Sequence, residues 1–257
     1  MAVDRHGDIT LPIRSEMQPA FSPVVACVVD RLHHSFPALI HSLYVYGSVA
    51  EGRANIGKSD LDMTLIFNHQ PEQETKAQLA AVQSELEQHN PAVSKIDFDC
   101  GLLQQVLHPG NQLSWGYWLR HHCVCVYGED LSRRFQPFKP SKAIAVAVNG
   151  DFLTVLERLI AEMDASVDPN KQLQLQRAAA RKIIRATSIL RGEQDADWPD
   201  TLQQHRIKFI ARYPALTKEM DYLMAIAHQP EGNIRDFQHR IRVFAEWLSA
   251  TFHRQQG

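Results

Sequence analysis

Two aspartates, Asp60 and Asp62, form the pair of residues in this sequence whose spacing most clearly favours chemistry. They open an apolar stretch that runs to Phe67 with the alternation of a β-strand. Because successive strand side chains point to opposite faces, Asp60, Asp62 and Thr64 are predicted to share one face above an apolar underside. Carboxylates two residues apart in a strand are separated by roughly 6–7 Å, which lets both bind one divalent cation or a pair of cations.

A glycine–serine turn precedes this pair. Gly47 and Ser48 follow a short apolar strand predicted over residues 43–46 and are followed by about one turn of helix that contains Gly52. Glycine lets a backbone approach a ligand without a clashing Cβ, and the N–H groups at a helix start favour anions. The turn and the aspartates together therefore indicate a site for phosphate groups and metal ions.

A second acidic strand is predicted over residues 93–100, after an amphipathic helix over residues 71–90. Ile96, Phe98 and Cys100 are predicted to face inward, and Lys95, Asp97 and Asp99 outward. On the residues alone, the two aspartates are either further site carboxylates or the polar side of an amphipathic strand. The acidic pair upstream and the helix that joins the two strands favour the first reading.

This arrangement resembles the nucleotidyltransferase superfamily, which includes DNA polymerase beta, the aminoglycoside nucleotidyltransferases and the small bacterial minimal nucleotidyltransferases. The resemblance rests on Gly47-Ser48, ten further residues, and then Ser59-Asp60-Leu61-Asp62. In that superfamily a third carboxylate comes from a later strand, within a basic-aliphatic-Asp pattern. Lys95-Ile96-Asp97 fits this pattern, so Asp97 is the expected third carboxylate and Asp99 the alternative.

The resemblance implies a division of roles among these residues. Asp60, Asp62 and Asp97 would be catalytic and would bind one or two Mg²⁺ ions, with ATP or another nucleoside triphosphate as substrate. The expected contacts to the triphosphate come from the turn and the loop after it: Gly47, Ser48, Arg53, Lys58 and Ser59.

The chain is predicted to contain an α/β (α+β) nucleotidyltransferase domain with a small mixed sheet, followed by an all-helical domain. The proposed boundary puts residues 1–136 in the catalytic domain and residues 137–257 in a helical bundle. Past Pro137 and Pro140 the apolar spacing becomes helical, with helices expected over residues 141–163, 173–191, 201–213, 215–228 and 234–252.

The composition of the chain counts against several classes of function. The chain has 27 basic and 29 acidic residues among 257, which counts against an enzyme that follows long nucleic acids. Four cysteines without CxxC spacing indicate small buried thiols rather than disulfides or zinc ligands. The first twenty residues contain no secretory apolar region, and no apolar run is long enough to span a membrane. We therefore expect a cytoplasmic protein with no membrane partner.

Two further segments allow more than one interpretation. The aromatic segment 113–119, with Trp115 and Trp118, either stacks a purine or sugar ring or packs in the core, and packing is the commoner outcome. Arg177, Arg181 and Arg185 lie four residues apart on one helix face. They either reach a triphosphate or acidic acceptor or form a solvated face.

The sequence thus predicts a Mg²⁺-dependent enzyme that transfers a nucleoside monophosphate, AMP from ATP by preference, to a hydroxyl of a small molecule or a protein, with release of pyrophosphate. One alternative is a non-catalytic nucleotide-sensing or toxin-binding module of the antitoxin type. Another is an enzyme that adds nucleotides to RNA ends. The sequence identifies neither the acceptor nor the oligomeric state.

Overall fold

A computed structural model describes residues 3–11 and 17–256 of the chain. The expected limits of the two domains at residues 1 and 257 lie outside the described residues, as does part of the N-terminal stretch inspected for a secretory signal. The described residues divide into two compact units. We call residues 10–138 the sheet unit, and residues 3–9 together with residues 139–256 the helical unit.

The sheet unit contains four strands and the helices that connect them. Its helices are α1 (Ser22–Ser35), α2 (Gly47–Ala50), α3 (Gln73–His89), α4 (Leu103–Val106) and α5 (Tyr117–His121). Its strands are β1 (Ile40–Tyr46), β2 (Leu61–Phe67), β3 (Ile96–Leu102) and β4 (Val124–Gly128).

The strands form one sheet in the order β3-β2-β1-β4. β1 is antiparallel to β2 and to β4, whereas β2 and β3 are parallel. The parallel pair requires a crossover connection, and α3 supplies it. The sheet is therefore mixed, and the predicted layout of a small mixed sheet followed by a helical part is confirmed.

One face of this sheet is covered by helices and forms the core. α3 presents Leu79, Val82 and Leu86 as the predicted apolar stripe, and all three are buried. In β2 every residue except Asp62 is buried. Leu61, Met63, Leu65 and Phe67 alternate along β2 and share the core face. They fix the register of β2, because a shift by one residue would move all four to the other face.

Several predicted details are wrong. Asp60 precedes β2 instead of lying within it. Cys100 was expected to face inward and is exposed, because β3 is an edge strand; Cys27 is exposed as well, and only Cys123 of the four cysteines is buried.

The helical unit contains six helices in its described residues: α6 (Lys142–Asn149), α7 (Phe152–Ala165), α8 (Pro169–Ala186), α9 (Leu202–Arg212), α10 (Thr217–His228) and α11 (Ile234–Arg254). The single helix expected over residues 141–163 is two helices, α6 and α7. The break falls at Gly150 and Asp151, where glycine weakens a helix and Asp151 is the N-cap of α7.

Two arginines of the row on α8, Arg177 and Arg181, make contacts within this unit. Arg177 Nη2 donates to the carbonyl of His228 at 3.4 Å, and Arg181 Nε donates to the carbonyl of Ala227 at 3.2 Å. Lys182 next to them pairs with Asp151 at 2.6 Å. Arg177 and Arg181 thus satisfy the last carbonyls of α10, which have no partner within their own helix.

No helix in the described part of the chain combines the length and apolar character needed to cross a lipid bilayer.

Gly128 at the end of β4 allows a test of how closely β4 packs against β1. Its φ is +77°, and a Cβ added there would clash with the carbonyl of His41 on β1. We expect Gly128→Ala to lower the free energy of unfolding by about 2–5 kcal/mol, the sum of left-handed strain and overpacking. Denaturant unfolding followed by circular dichroism measures the change.

Gly57→Ala is the matched control, since Gly57 has a φ of +69° and an open site whose nearest atom would be 3.7 Å from the added Cβ. Only the strain of about 1–2 kcal/mol applies there. Equal losses in the two variants would contradict the proposed crowding at Gly128.

Candidate functional site

The site is built where β1 ends and β2 begins. Tyr46, the last residue of β1, pairs with Asp62 across the antiparallel ladder. The chain then turns at Gly47, which has a φ of +68°. A Cβ on Gly47 would clash with Oδ2 of Asp62. The Asp62 carboxylate therefore lies directly against the glycine backbone, and no other residue type fits at position 47 without displacing it.

The parallel pairing of β2 and β3 brings further carboxylates to the same place. Asp97 is opposite Asp62, and Asp99 is opposite Thr64. Paired residues on neighbouring strands point to the same face, and such strands are about 4.8 Å apart. The structure thus brings Asp97 beside Asp62, with Asp99 one pleat further along β3.

Burial and like charge both act on Asp62. They raise its pKa from 3.8 to about 7, with burial the largest cause, followed by the charges of Asp60, Asp97 and Asp99. Lys95 opposes the shift. A carboxylate so disfavoured as an anion gains free energy when a cation binds beside it, and this is typical of functional sites.

Asp60 lies immediately before β2 and is exposed. Its Oδ1 accepts a hydrogen bond of 2.6 Å from Ser94 Oγ, and Ser94 Oγ also lies 3.0 Å from the carbonyl of Lys58. Ser94 precedes β3, so this contact ties the loop before β2 to the start of the neighbouring strand. Sequence reasoning did not identify Ser94.

Asp97 and Asp99 each have a different partner. Asp97 forms an ion pair with Lys95, which lies two residues earlier on the same face. Asp99 Oδ2 accepts a hydrogen bond of 2.5 Å from the hydroxyl of Tyr46. The basic residue of the Lys95-Ile96-Asp97 pattern is therefore the direct counter-ion of the aspartate.

Aromatic packing and hydrogen bonds hold Tyr46 in place. Its ring meets Trp118 edge to face, with 4.8 Å between the ring centroids. Trp118 Nε1 donates to Thr64 Oγ1 at 3.0 Å, and Thr64 is the strand partner of Asp99. Trp118 thus packs beside the acidic face. Tyr46 was not identified from the sequence, although it lies directly before Gly47 and on the same face of the sheet as Asp62.

The residues predicted to contact the triphosphate lie around the turn. In the structure they are more dispersed than the acidic residues. Ser48 lies in α2, and its carbonyl accepts a hydrogen bond from the Arg53 N–H at 3.0 Å. Arg53 is exposed and pairs with Glu51. Lys58 is exposed. Ser59 Oγ accepts from the N–H of Asn55 at 2.9 Å, so this hydroxyl orders the loop.

The donor chemistry of the site suits a hard cation. Asp60, Asp62 and Asp97 offer only oxygen atoms, which Mg²⁺ prefers, and it needs few protein ligands because it keeps several waters. Within the described residues no three His, Cys, Asp or Glu side chains are already assembled into a metal-binding group. Lys95 pairs with Asp97 in this arrangement. The ligand types fit Mg²⁺, while the arrangement is not preformed.

Comparison with known proteins gives an independent view of this region. A family model described as nucleotidyltransferase domain matches residues 28–105, which include Asp60, Asp62, Asp97 and Asp99. No curated protein sequence matches the chain significantly.

A solved structure resembles most of the chain. It is spectinomycin adenyltransferase from Enterococcus faecialis, crystallised with ATP and spectinomycin. The two proteins share 14% sequence identity with a TM-score of 0.51, and the alignment covers 86% of this chain and 98% of that one. At this identity the similarity shows a common fold. The family match adds that residues 28–105 are similar to a nucleotidyltransferase domain.

Proposed function

We propose that this protein is a Mg²⁺-dependent nucleotidyltransferase that transfers AMP from ATP to a hydroxyl group and releases pyrophosphate. The observation that carries the proposal is the position of Asp62. It lies against Gly47, is paired with Asp97 across parallel strands, and has a pKa of about 7. Such a site suits a cation shared between carboxylates and a polyphosphate.

The preference for AMP and for a small acceptor is supported by the solved structure of similar fold, which contains ATP and spectinomycin. We propose an acceptor hydroxyl on a small, sugar-like molecule, with a protein side chain as the other option. The net charge of −2 gives no general attraction to nucleic acid, so a nucleic-acid substrate is not part of the proposal. Residues 1–136 would carry the catalytic centre.

Three carboxylates would perform the chemistry. Mg²⁺, when bound, would neutralise the triphosphate and the charge that develops during phosphoryl transfer. Asp60 and Asp62 would hold one ion, and Asp97 would complete a second ion site and accept the proton of the acceptor hydroxyl. A bond then forms from the acceptor oxygen to the α-phosphorus, the bond from this phosphorus to the bridging oxygen breaks, and pyrophosphate leaves.

The turn would hold the phosphates. Gly47 lets the chain approach them, and Ser48 offers a hydroxyl and a backbone N–H. Arg53 and Lys58, both exposed on the following loop, are proposed to reach the leaving pyrophosphate. Ser59 would act through the loop that its hydroxyl orders.

Asp62→Asn tests the reaction. We expect it to lower the rate of pyrophosphate release from ATP, in the presence of Mg²⁺ and an acceptor, by at least about a thousandfold, because charge stabilisation at the transferred phosphoryl group is lost.

A screen of acceptors by mass spectrometry, looking for an added nucleoside monophosphate, identifies the substrate. Bound ATP without turnover in the wild type across the screen would instead support a nucleotide-sensing module.

The raised pKa of Asp62 gives a pH-dependent prediction. Its folded value of about 7 exceeds the reference value of 3.8. In the metal-free protein, the folded state keeps Asp62 protonated in a pH range where the unfolded chain ionises it. The free energy of unfolding therefore falls as pH rises from about 4 to 7. Because Mg²⁺ binds the carboxylate anion, we expect its stabilising effect on the melting temperature to be larger at pH 8 than at pH 5.5.

The same measurement on Asp62→Asn is the control, since this variant carries no charge at position 62 at any pH. Its response to Mg²⁺ should be small and nearly independent of pH. A response equal to that of the wild type would show that the ion binds elsewhere.

Tyr46→Phe tests whether the hydrogen bond to Asp99 serves the reaction. We expect at least a tenfold fall in kcat with a small change in KM, because Asp99 loses its fixed orientation beside the other carboxylates. Tyr44→Phe is the matched control on the same strand. The Tyr44 hydroxyl accepts from the Leu131 N–H at 2.8 Å and donates to the Glu129 carbonyl at 3.0 Å, so its loss should lower stability and leave kcat unchanged.

A further inference from the structure

Arg191 in the helical unit is a buried cation whose hydrogen-bonding capacity is only partly used. It follows a short 3₁₀ turn at the end of α8 and is 6% exposed. Its Nη2 donates to the carbonyls of Asp195 and Asp197 at 2.5 and 2.7 Å. Its guanidinium lies over the ring of Trp198, 4.8 Å from the centroid.

The other nitrogens of this guanidinium are buried without a partner. Among the described residues, neither Nε nor Nη1 of Arg191 has a hydrogen-bond acceptor. Its observed hydrogen bonds go to carbonyl groups, and the carboxylates of Asp195 and Glu193 compensate its charge only from a distance. A buried charge with unmet donors costs free energy unless a ligand or water completes it.

Two cavities adjoin Arg191. The smaller is about 50 Å³ and the larger about 380 Å³, and both are lined by Leu190, Arg191 and Arg212. The larger is a depression that is widely open to solvent, and the smaller is the more enclosed. Its other lining residues are Lys142, Gly192 and Gln255.

The charges around the larger cavity favour a multiply charged anion. Lys142, Arg191 and Arg212 line it, and none of its described lining residues is acidic. One carboxylate lies close by, since Asp195 pairs with Arg212 at 2.9 Å. The charge of Glu193 also acts on Arg191, so three cations exceed two nearby carboxylates. This excess of positive charge favours an anion, and guanidinium groups offer paired donors to phosphate oxygens.

We propose that the helical unit binds a phosphate-class dianion in this cavity, held by Lys142, Arg191 and Arg212. The site is separate in its residues from the carboxylates of the sheet unit and requires neither Mg²⁺ nor turnover. Three sources share this chemistry: inorganic phosphate, pyrophosphate, and the phosphate of a nucleoside monophosphate.

Calorimetric titration of the full-length, metal-free protein tests the proposal. Inorganic phosphate, pyrophosphate and AMP are titrated separately at constant ionic strength. We expect saturable binding of at least one of them, and Lys142→Gln should weaken its affinity about tenfold or more, the effect of losing one charge-assisted hydrogen bond. Binding of the inorganic anions alone identifies a free anion as ligand, and binding of AMP as well identifies a phosphate monoester.

Lys218→Gln is the matched control, because Lys218 is exposed on α10 and does not line the cavity. It removes the same charge and should leave the affinity unchanged. Equal weakening in both variants, or no saturable binding of any of the three anions, would overturn the proposal.

Arg191→Gln should abolish binding, and circular dichroism checks its fold; if it misfolds, Lys142→Gln decides the outcome. Crystals soaked in tungstate, a heavy tetrahedral dianion, add a direct view. Density for tungstate beside Arg191 and Lys142 supports the site. Density for water alone at Nε and Nη1 would overturn it, since a buried water would then satisfy the arginine.

Discussion

The register between β2 and β3 is the constraint on which the site depends. It places Asp97 beside Asp62 although the two carry like charges. At about 5 Å and an effective dielectric constant of about 20, such a pair repels by about 3 kcal/mol. Each large apolar side chain buried on β2 contributes roughly 1.5–3 kcal/mol, and β2 buries several. The core therefore holds the acidic residues together against their repulsion.

Local contacts moderate this repulsion without removing it. Lys95 pairs with Asp97 and the Tyr46 hydroxyl donates to Asp99, whereas Asp62 has no such partner among the described residues and its pKa rises. The electrostatic cost is thus concentrated on the one carboxylate that lies against the glycine turn. Binding of a cation beside Asp62 therefore releases more free energy than binding beside Asp97 or Asp99.

Much of this arrangement could be predicted from the sequence. The alternation of β2, the glycine at the turn and the basic-aliphatic-Asp pattern are local signals, and they placed Asp62 and Asp97 on facing strands. The contacts of the site between residues far apart in the sequence could not be predicted in this way. Trp118 is 54 residues from Thr64 and Tyr46 is 53 residues from Asp99, and such contacts depend on tertiary packing, which no local pattern encodes.

The helical unit shows the same limit. Spacing predicted its helical character, but the break between α6 and α7 was missed because one glycine is tolerated in many helices. The arginine row of α8 was assigned to a ligand or to solvent, since a sequence does not reveal which neighbouring helix ends beside it. Its actual partners, the carbonyls of Ala227 and His228, belong to a helix about fifty residues away.

This last contact has a consequence for local opening. The final turn of a helix usually frays first, and its amides exchange with solvent fastest. The last turn of α10 is tied by two guanidinium groups of α8, so it cannot fray without breaking contacts with a second helix. α8 and α10 should therefore open together as one cooperative segment, and protection from hydrogen exchange should extend to the end of α10.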